Sequence, residues 1–243
     1  MIISQKDWLD YIGKLEKVNQ SAAAAMQRYI DQAGYTLTPE LMEYAYQLTT
    51  IYGEASAELA CQMYDAVAMA QDADVMAAEP AEPSTYEELV AELKKSYQHS
   101  QFETPAVVAR RVKLAASDTT LKNAIRDKAQ FAWIPSYDGC PFCRTIASRG
   151  WRQAGKKTLS GNHADHIHKN CRCEYAIRFN DKLNVAGYDP DKLLAEYQQA
   201  DGGKWDEKIN SMRRDHYAAH KDEINAQKRA AYKRLMDSRQ DEK

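Results

Sequence analysis

No stretch of about 18 consecutive apolar residues occurs in the 243-residue chain, so a hydrophobic helix of membrane-spanning length is excluded. The start, Met-Ile-Ile-Ser-Gln-Lys-Asp-Trp8, lacks the basic residues and apolar run of a secretory leader. Synthesis in a reducing cytoplasm is therefore expected. No internal repeat is visible, and no glycine-rich nucleotide loop follows residue 180. Cysteine is scarce: there are five, and four of them fall in two tight pairs, Cys140-Pro-Phe-Cys143 and Cys171-Arg-Cys173. The fifth, Cys61, lies alone in a helical run and reads as a small buried hydrophobe.

Net charge is also slight, −2, but the signs are segregated. Residues 1–104 carry 6 basic and 17 acidic side chains, residues 105–180 carry 14 and 5, and residues 181–243 carry 13 of each. A basic central segment suits a polyanion or an acidic protein surface. It equally suits internal packing against the acidic part of the same chain.

What is present is mostly helical periodicity. Trp8, Ile12, Leu15, Val18, Ala22, Met26 and Ile30 recur at close to 3.6 residues, predicting a helix over 5–33 that Gly34 ends. Thr38 as N-cap and Pro39 at the first helical position open a second helix running to about Met76, with a bend at Gly53. These two form a long N-terminal helical hairpin, residues 1–76. Residues 77–84 contain two prolines and read as a linker. Ser84-Thr-Tyr-Glu87 resembles a capping box before a helix through Leu89, Leu93 and Tyr97. Thr104-Pro105 starts another, to about Lys128, broken near Ser117-Asp118. Residues 131–135 and 174–179 read as short strands, with one or two helical turns within 143–153. Residues 85–180 thus form a helical plus Cys/His β region. Residues 181–243 form a charged helical tail, with a helix opening at Asp189-Pro190 and a last one from about Lys204. The expected fold class is α+β, mainly α-helical, with a late, small β element.

The chemistry concentrates between the strands. Thiolates and imidazoles at short spacing are what a tetrahedral zinc site requires. Cys140 and Cys143 are two residues apart, and Cys171 and Cys173 would point the same way on a strand. His163, His166 and His168 compete for a remaining position. Four cysteines also suffice for two disulfides, or for packed free thiols. A thioredoxin-like role for Cys140 and Cys143 lacks the surrounding βαβ pattern. Eight cations crowd this region, Arg144, Arg149, Arg152, Lys156, Lys157, Lys169, Arg172 and Arg178, with Trp151 and Tyr175 among them. Such a set suits non-specific contact with DNA phosphates, or a basic rim against an acidic surface. His216 and His220 lie one helical turn apart, which reads as an exposed polar face or a chelating pair.

Two family resemblances bear on this segment. Asn162-His-Ala-Asp-His-Ile-His168 is similar to the metal-dependent HNH nucleases, which would make His166 the general base with Asp165 beside it. The further asparagine and histidine on a downstream helix that such nucleases carry are missing here. Cys140-Pro-Phe-Cys-Arg-Thr-Ile-Ala-Ser-Arg-Gly150, followed by His168-Lys-Asn-Cys-Arg-Cys173 and a strand, resembles the phage Mu F-like minor head protein family, in its Gram-positive phage branch. That resemblance implies a non-enzymatic virion or procapsid component, made in the bacterial host cytoplasm. It implies contacts with portal and capsid proteins and a part in head assembly or DNA entry, with no membrane and no small-molecule substrate. Carried over, Cys140, Cys143, His168, Cys171 and Cys173 are the metal or cross-link positions, with zinc the expected structural ion.

Overall fold

The structure, a computed structural model, describes residues 2–155, 158, 167–168 and 171–240. Helix α1 spans Gln5–Ala33, where its periodicity places it. The Ser4 hydroxyl caps it by accepting the Asp7 N–H at 3.0 Å. Gly34 closes it with φ 82°, a conformation that costs a side-chain-bearing residue, and its N–H returns to the Ile30 carbonyl at 2.7 Å.

Helix α2 spans Pro39–Ala70, capped by Thr38 as expected. It stops six residues short of Met76, because Asp72 turns to φ 52° and the Ala73 N–H folds back to the Ala68 carbonyl. Gly53 introduces no break, and a Cβ there would meet that of Ala115 at 3.6 Å, an ordinary packing distance. The proline-bearing segment 77–84 has no regular structure, yet it is tied down. Its Glu79 N–H donates to Asn123 Oδ1 at 3.0 Å, the Asn123 amide donates back to the Glu79 carbonyl at 2.8 Å, and the Ala81 N–H donates to Thr119 Oγ1 at 3.0 Å.

Helix α3 spans Tyr86–Tyr97, and its capping box uses Thr85 and Glu88, one residue later than the sequence suggests. Helix α4 spans Thr104–Arg126 without a break at Ser117-Asp118. Ser117 does not compete for the helix backbone, because its hydroxyl is directed to Glu174 at 2.8 Å. Helix α4 is the centre of the fold, packed along both α1 and α2 and against α3.

Strand β1 (Ile2–Ile3) pairs in parallel with β5 (Asn184–Val185). Strand β2 (Gln130–Ile134) lies between β3 (Arg152–Gln153) and β4 (Glu174–Arg178) in an antiparallel sheet. Its register pairs Trp133 with Tyr175 and Ile134 with Glu174. Helix α5 (Pro141–Ala147) begins earlier than expected, so Cys143 lies inside it. Helix α6 (Pro190–Gln199) and helix α7 (Trp205–Gln240) follow, and α7 is kinked at His220. The protein is mainly helical with a small sheet, and no described helix is long and apolar enough to cross a membrane.

Among the described residues, buried side chains gather in three regions. One, around Met26, Ile30, Leu41, Leu89, Leu93 and Val108, holds α1 to α4 together. A second, around Tyr64, Val67, Ile177 and Leu183, seats the sheet on α2. The third joins α1 and α4 to the sheet through Trp8, Leu15, Leu121, Trp133 and Tyr175, and it contains Cys143, Cys171 and Cys173.

Candidate metal centre

Three local structures bring the paired cysteines together. Cys140 is the N-cap of α5 in an extended conformation, Pro141 takes the first helical position with its fixed φ, and Cys143 follows within the first turn. Cys171 and Cys173 lie in the segment entering β4, and the Cys171 N–H bonds the His168 carbonyl at 3.1 Å. The β2–β4 register then sets this segment beside the chain leaving β2. There the Ser136 N–H donates to Cys173 Sγ at 3.3 Å. The approach to His168 is held from α4, where Arg110 Nε donates to the Ile167 carbonyl at 2.5 Å.

All five ligand candidates converge. The ligand atoms of Cys140, Cys143 and His168 lie within 4.8 Å of one another, and so do those of Cys143, Cys171 and Cys173. Cys143 is the shared vertex. Its sulfur is 3.7 Å from Cys171 Sγ and 3.7 Å from His168 Nε2, while Cys140 Sγ is 3.2 Å from the same imidazole nitrogen. Zinc bonds of about 2.3 Å to sulfur and 2.0–2.1 Å to nitrogen give tetrahedral edges of roughly 3.8 Å between sulfurs and roughly 3.5 Å from sulfur to nitrogen. The 3.7 Å between Cys143 and Cys171 is far longer than the 2.03–2.05 Å of a disulfide. The donor types, their burial and the 3.7 Å edge are compatible with a divalent, thiophilic ion, with Cys143 common to two candidate triads.

The electrostatics point the same way. The hydrogen bond from Cys143 is the largest influence on Cys140, whose thiol is pulled down to about 4, with His168 assisting. The Cys171 thiol is also lowered, first by its contact with Cys143 and then by Cys173, with Lys113 as a nearby cation. Cys143 itself is driven up by its bonds to Cys140 and Cys171. At Cys173 the hydrogen bond with Cys143 favours the thiolate, but Cys171 and burial outweigh it and push the thiol up to about 12. Sharing protons among four close sulfurs is what a metal relieves, since each ligating thiol must lose its proton. Cys61 is remote from the cluster and 5% exposed, and burial raises its thiol to about 11, as befits a packed hydrophobe.

Two residues adjoining the centre carry little sequence signal. Lys113, 5% exposed, donates to Glu174 Oε2 at 2.9 Å, and Glu174 is fully buried. The other carboxylate oxygen accepts from Ser117 Oγ and from the Tyr175 N–H, both at 2.8 Å. Burial pulls the Lys113 ammonium down, but Glu174, Cys171 and Cys173 together hold it above the ordinary lysine value. The only hint in the sequence is a single lysine between Val112 and Leu114 on a helix that proves to be buried. A cleft of about 260 Å³ between α1 and α4 opens beside the centre, and Asn19, Lys113, His168 and Cys171 are among its walls.

His163, His166 and Asp165 lie outside the described residues, as do Asn162, Lys156, Lys157 and Lys169. Among the described cations, Arg144 pairs with Glu196, Arg172 with Glu16 at 3.1 Å and Asp138 at 3.6 Å, and Arg178 with Asp181 at 2.9 Å. Arg110 and Arg111 grip Glu92 of α3 at 2.9 and 2.5 Å. Acidic helices thus pack on the basic segment at several points. His216 and His220 stand with ring centroids 4.7 Å apart on the exposed part of α7, away from the cysteines.

The sequence pattern of the VG15 protein family matches residues 2–200, which takes in every element from β1 through α6. The chain belongs to the VG15 protein family. That family is a phage protein family, so the chain is a phage protein. None of the curated proteins and none of the solved structures matches it.

Proposed function

We propose that this protein is a minor head protein of a phage, a virion or procapsid component acting in head morphogenesis near the portal, with a structural zinc knuckle at its Cys/His cluster. The observation that carries this reading is the convergence of Cys140, Cys143, His168, Cys171 and Cys173 within a phage-family chain. The C-x2-C and H-x2-C-x-C spacing that resembles the Mu F-like minor head proteins is the spacing that forms the cluster. Zinc there would tie α5 to the segment entering β4 and so stabilise a small β element. Function then rests on protein–protein contacts with portal and capsid subunits. Any contact with DNA would be non-specific, and the internal pairing of Arg144, Arg172 and Arg178 leaves it a secondary role.

The test is co-expression of the full chain with the portal protein of the same phage, with elemental analysis of the purified material. Co-purification with the portal and one zinc per chain are expected. A chain that leaves the portal unbound in every head assembly intermediate overturns the minor head reading, and a chain without stoichiometric zinc overturns the knuckle. Plasmid DNA incubated with the protein and magnesium or manganese should stay intact. Cutting that disappears in His166→Ala would establish the nuclease alternative instead.

A further inference from the structure

A buried ion pair is a costly way to stabilise a core, because desolvation of both charges offsets most of their attraction. Lys113 and Glu174 nevertheless form one at the centre of this fold, and its orientation is specific. The Glu174 carboxylate is turned to α4 and to its own strand, where Ser117 and the Tyr175 N–H satisfy one oxygen. The Lys113 ammonium donates to the other oxygen at 2.9 Å. It lines the cleft that also exposes His168 and Cys171, lies 5.9 Å from the centroid of the Trp133 ring, and is within electrostatic range of Cys171 and Cys173. Lys113 and Ser117 are one turn apart on the same face of α4, and Glu174 follows Cys173 directly in sequence. The pair is therefore built into the same short segment as two of the sulfurs.

A divalent ion with three thiolates and a neutral imidazole carries a net charge of −1, and one with four thiolates carries −2. Such a charge next to a hydrophobic core needs a cation close by. We propose that Lys113 is the counter-charge of the metal centre, held in place by Glu174, which is in turn fixed by Ser117. The inference rests on the zinc reading given above and adds a residue outside the ligand set that sets metal affinity.

The sign of the effect separates this from a purely structural pair. The probe is Zn²⁺, titrated into the metal-depleted full-length chain in competition with a chromophoric chelator, with folding followed by circular dichroism. Lys113→Met should weaken zinc binding at least about tenfold, the scale of one lost charge interaction at short range in a partly polar interior. Lys113→Arg should recover most of the affinity. Glu174→Gln, which removes a negative charge, should leave binding as tight or tighter. The double variant K113M/E174Q leaves no uncompensated charge in the core and should fold, and it should bind zinc more weakly than the unmodified chain but more tightly than Lys113→Met. If the double variant or folded Lys113→Met binds zinc as tightly as the unmodified chain, the counter-charge role is wrong while the zinc centre stands. If the unmodified chain itself binds no zinc, both readings fall.

Discussion

Replacing Cys143 with serine removes the one sulfur common to both ligand triads. Cys143 is 1% exposed, and its Sγ is 3.7 Å from both Cys171 Sγ and His168 Nε2. Without it, Cys140 and His168 on one side and Cys171 and Cys173 on the other no longer share a vertex, and neither pair alone supplies a tetrahedral set. Zinc binding should fall to background. The stability consequence follows from linkage. A chain held at about a thousand times its zinc dissociation constant gains about 4 kcal/mol over the metal-free form. At about 2–4 °C per kcal/mol for a chain of this size, the melting temperature should drop by about 8–16 °C. The assay is thermal melting of the intact protein and of Cys143→Ser, each with and without a strong zinc chelator, alongside elemental analysis. The unmodified protein should shift to the low melting temperature on chelation, and Cys143→Ser should start there and not move. Cys61→Ser, a buried thiol remote from the cluster, should keep its zinc. A Cys143→Ser protein with a full complement of zinc, or an unmodified protein indifferent to the chelator, would refute the reasoning.

Leu89 is fully buried among α1 to α4, so Leu89→Ala should cost about 2–5 kcal/mol in urea titration without changing zinc content. Gly34→Ala places a side chain at φ 82° at the end of α1 and should cost about 1 kcal/mol, read in the same titration. Asp127 is partly buried, which alone would raise its pKa, but hydrogen bonds from Arg126 and from the Tyr64 hydroxyl at 2.9 Å hold it below the usual carboxylate value. Its contribution is therefore present above the unfolded pKa of about 3.9 and lost as pH falls through the lower folded value. Asp127→Asn should flatten the acid limb of the stability–pH curve and leave its neutral-to-alkaline shape alone.

Much of the periphery was legible in the chain. The helix α6, the start of α2 and the end of α1 carry their own punctuation: Thr38-Pro39 and Asp189-Pro190 at the starts, Gly34 at an end. These signals are local and act within one helical turn, so no neighbour is needed to read them. The end of α2 was misread because its apolar pattern persists to Met76, whereas residues beyond Ala70 leave the helix to bond Asp65 and α4. The unbroken course of α4 was equally hidden. Ser117 and Asp118 look like breakers until the partner of Ser117, Glu174, is supplied from 57 residues away.

For the candidate centre, the residue types and spacing told which side chains have metal chemistry, because thiolate and imidazole are intrinsic properties and C-x2-C is a local geometry. Nothing local brings Cys140 and Cys143 to His168, Cys171 and Cys173. That depends on β2 pairing with β4, which sets the exit of one strand beside the entry of the other. Lys113 was hinted at only by its apolar neighbours Val112 and Leu114, since a lysine on a helix is ordinarily solvated, and the burial of α4 turns it inward to Glu174. The chain alone thus determined the helices, their caps and the kind of chemistry available. Tertiary structure decided which distant groups meet, because strand register and the central burial of α4 arise from contacts between segments and not from any one of them.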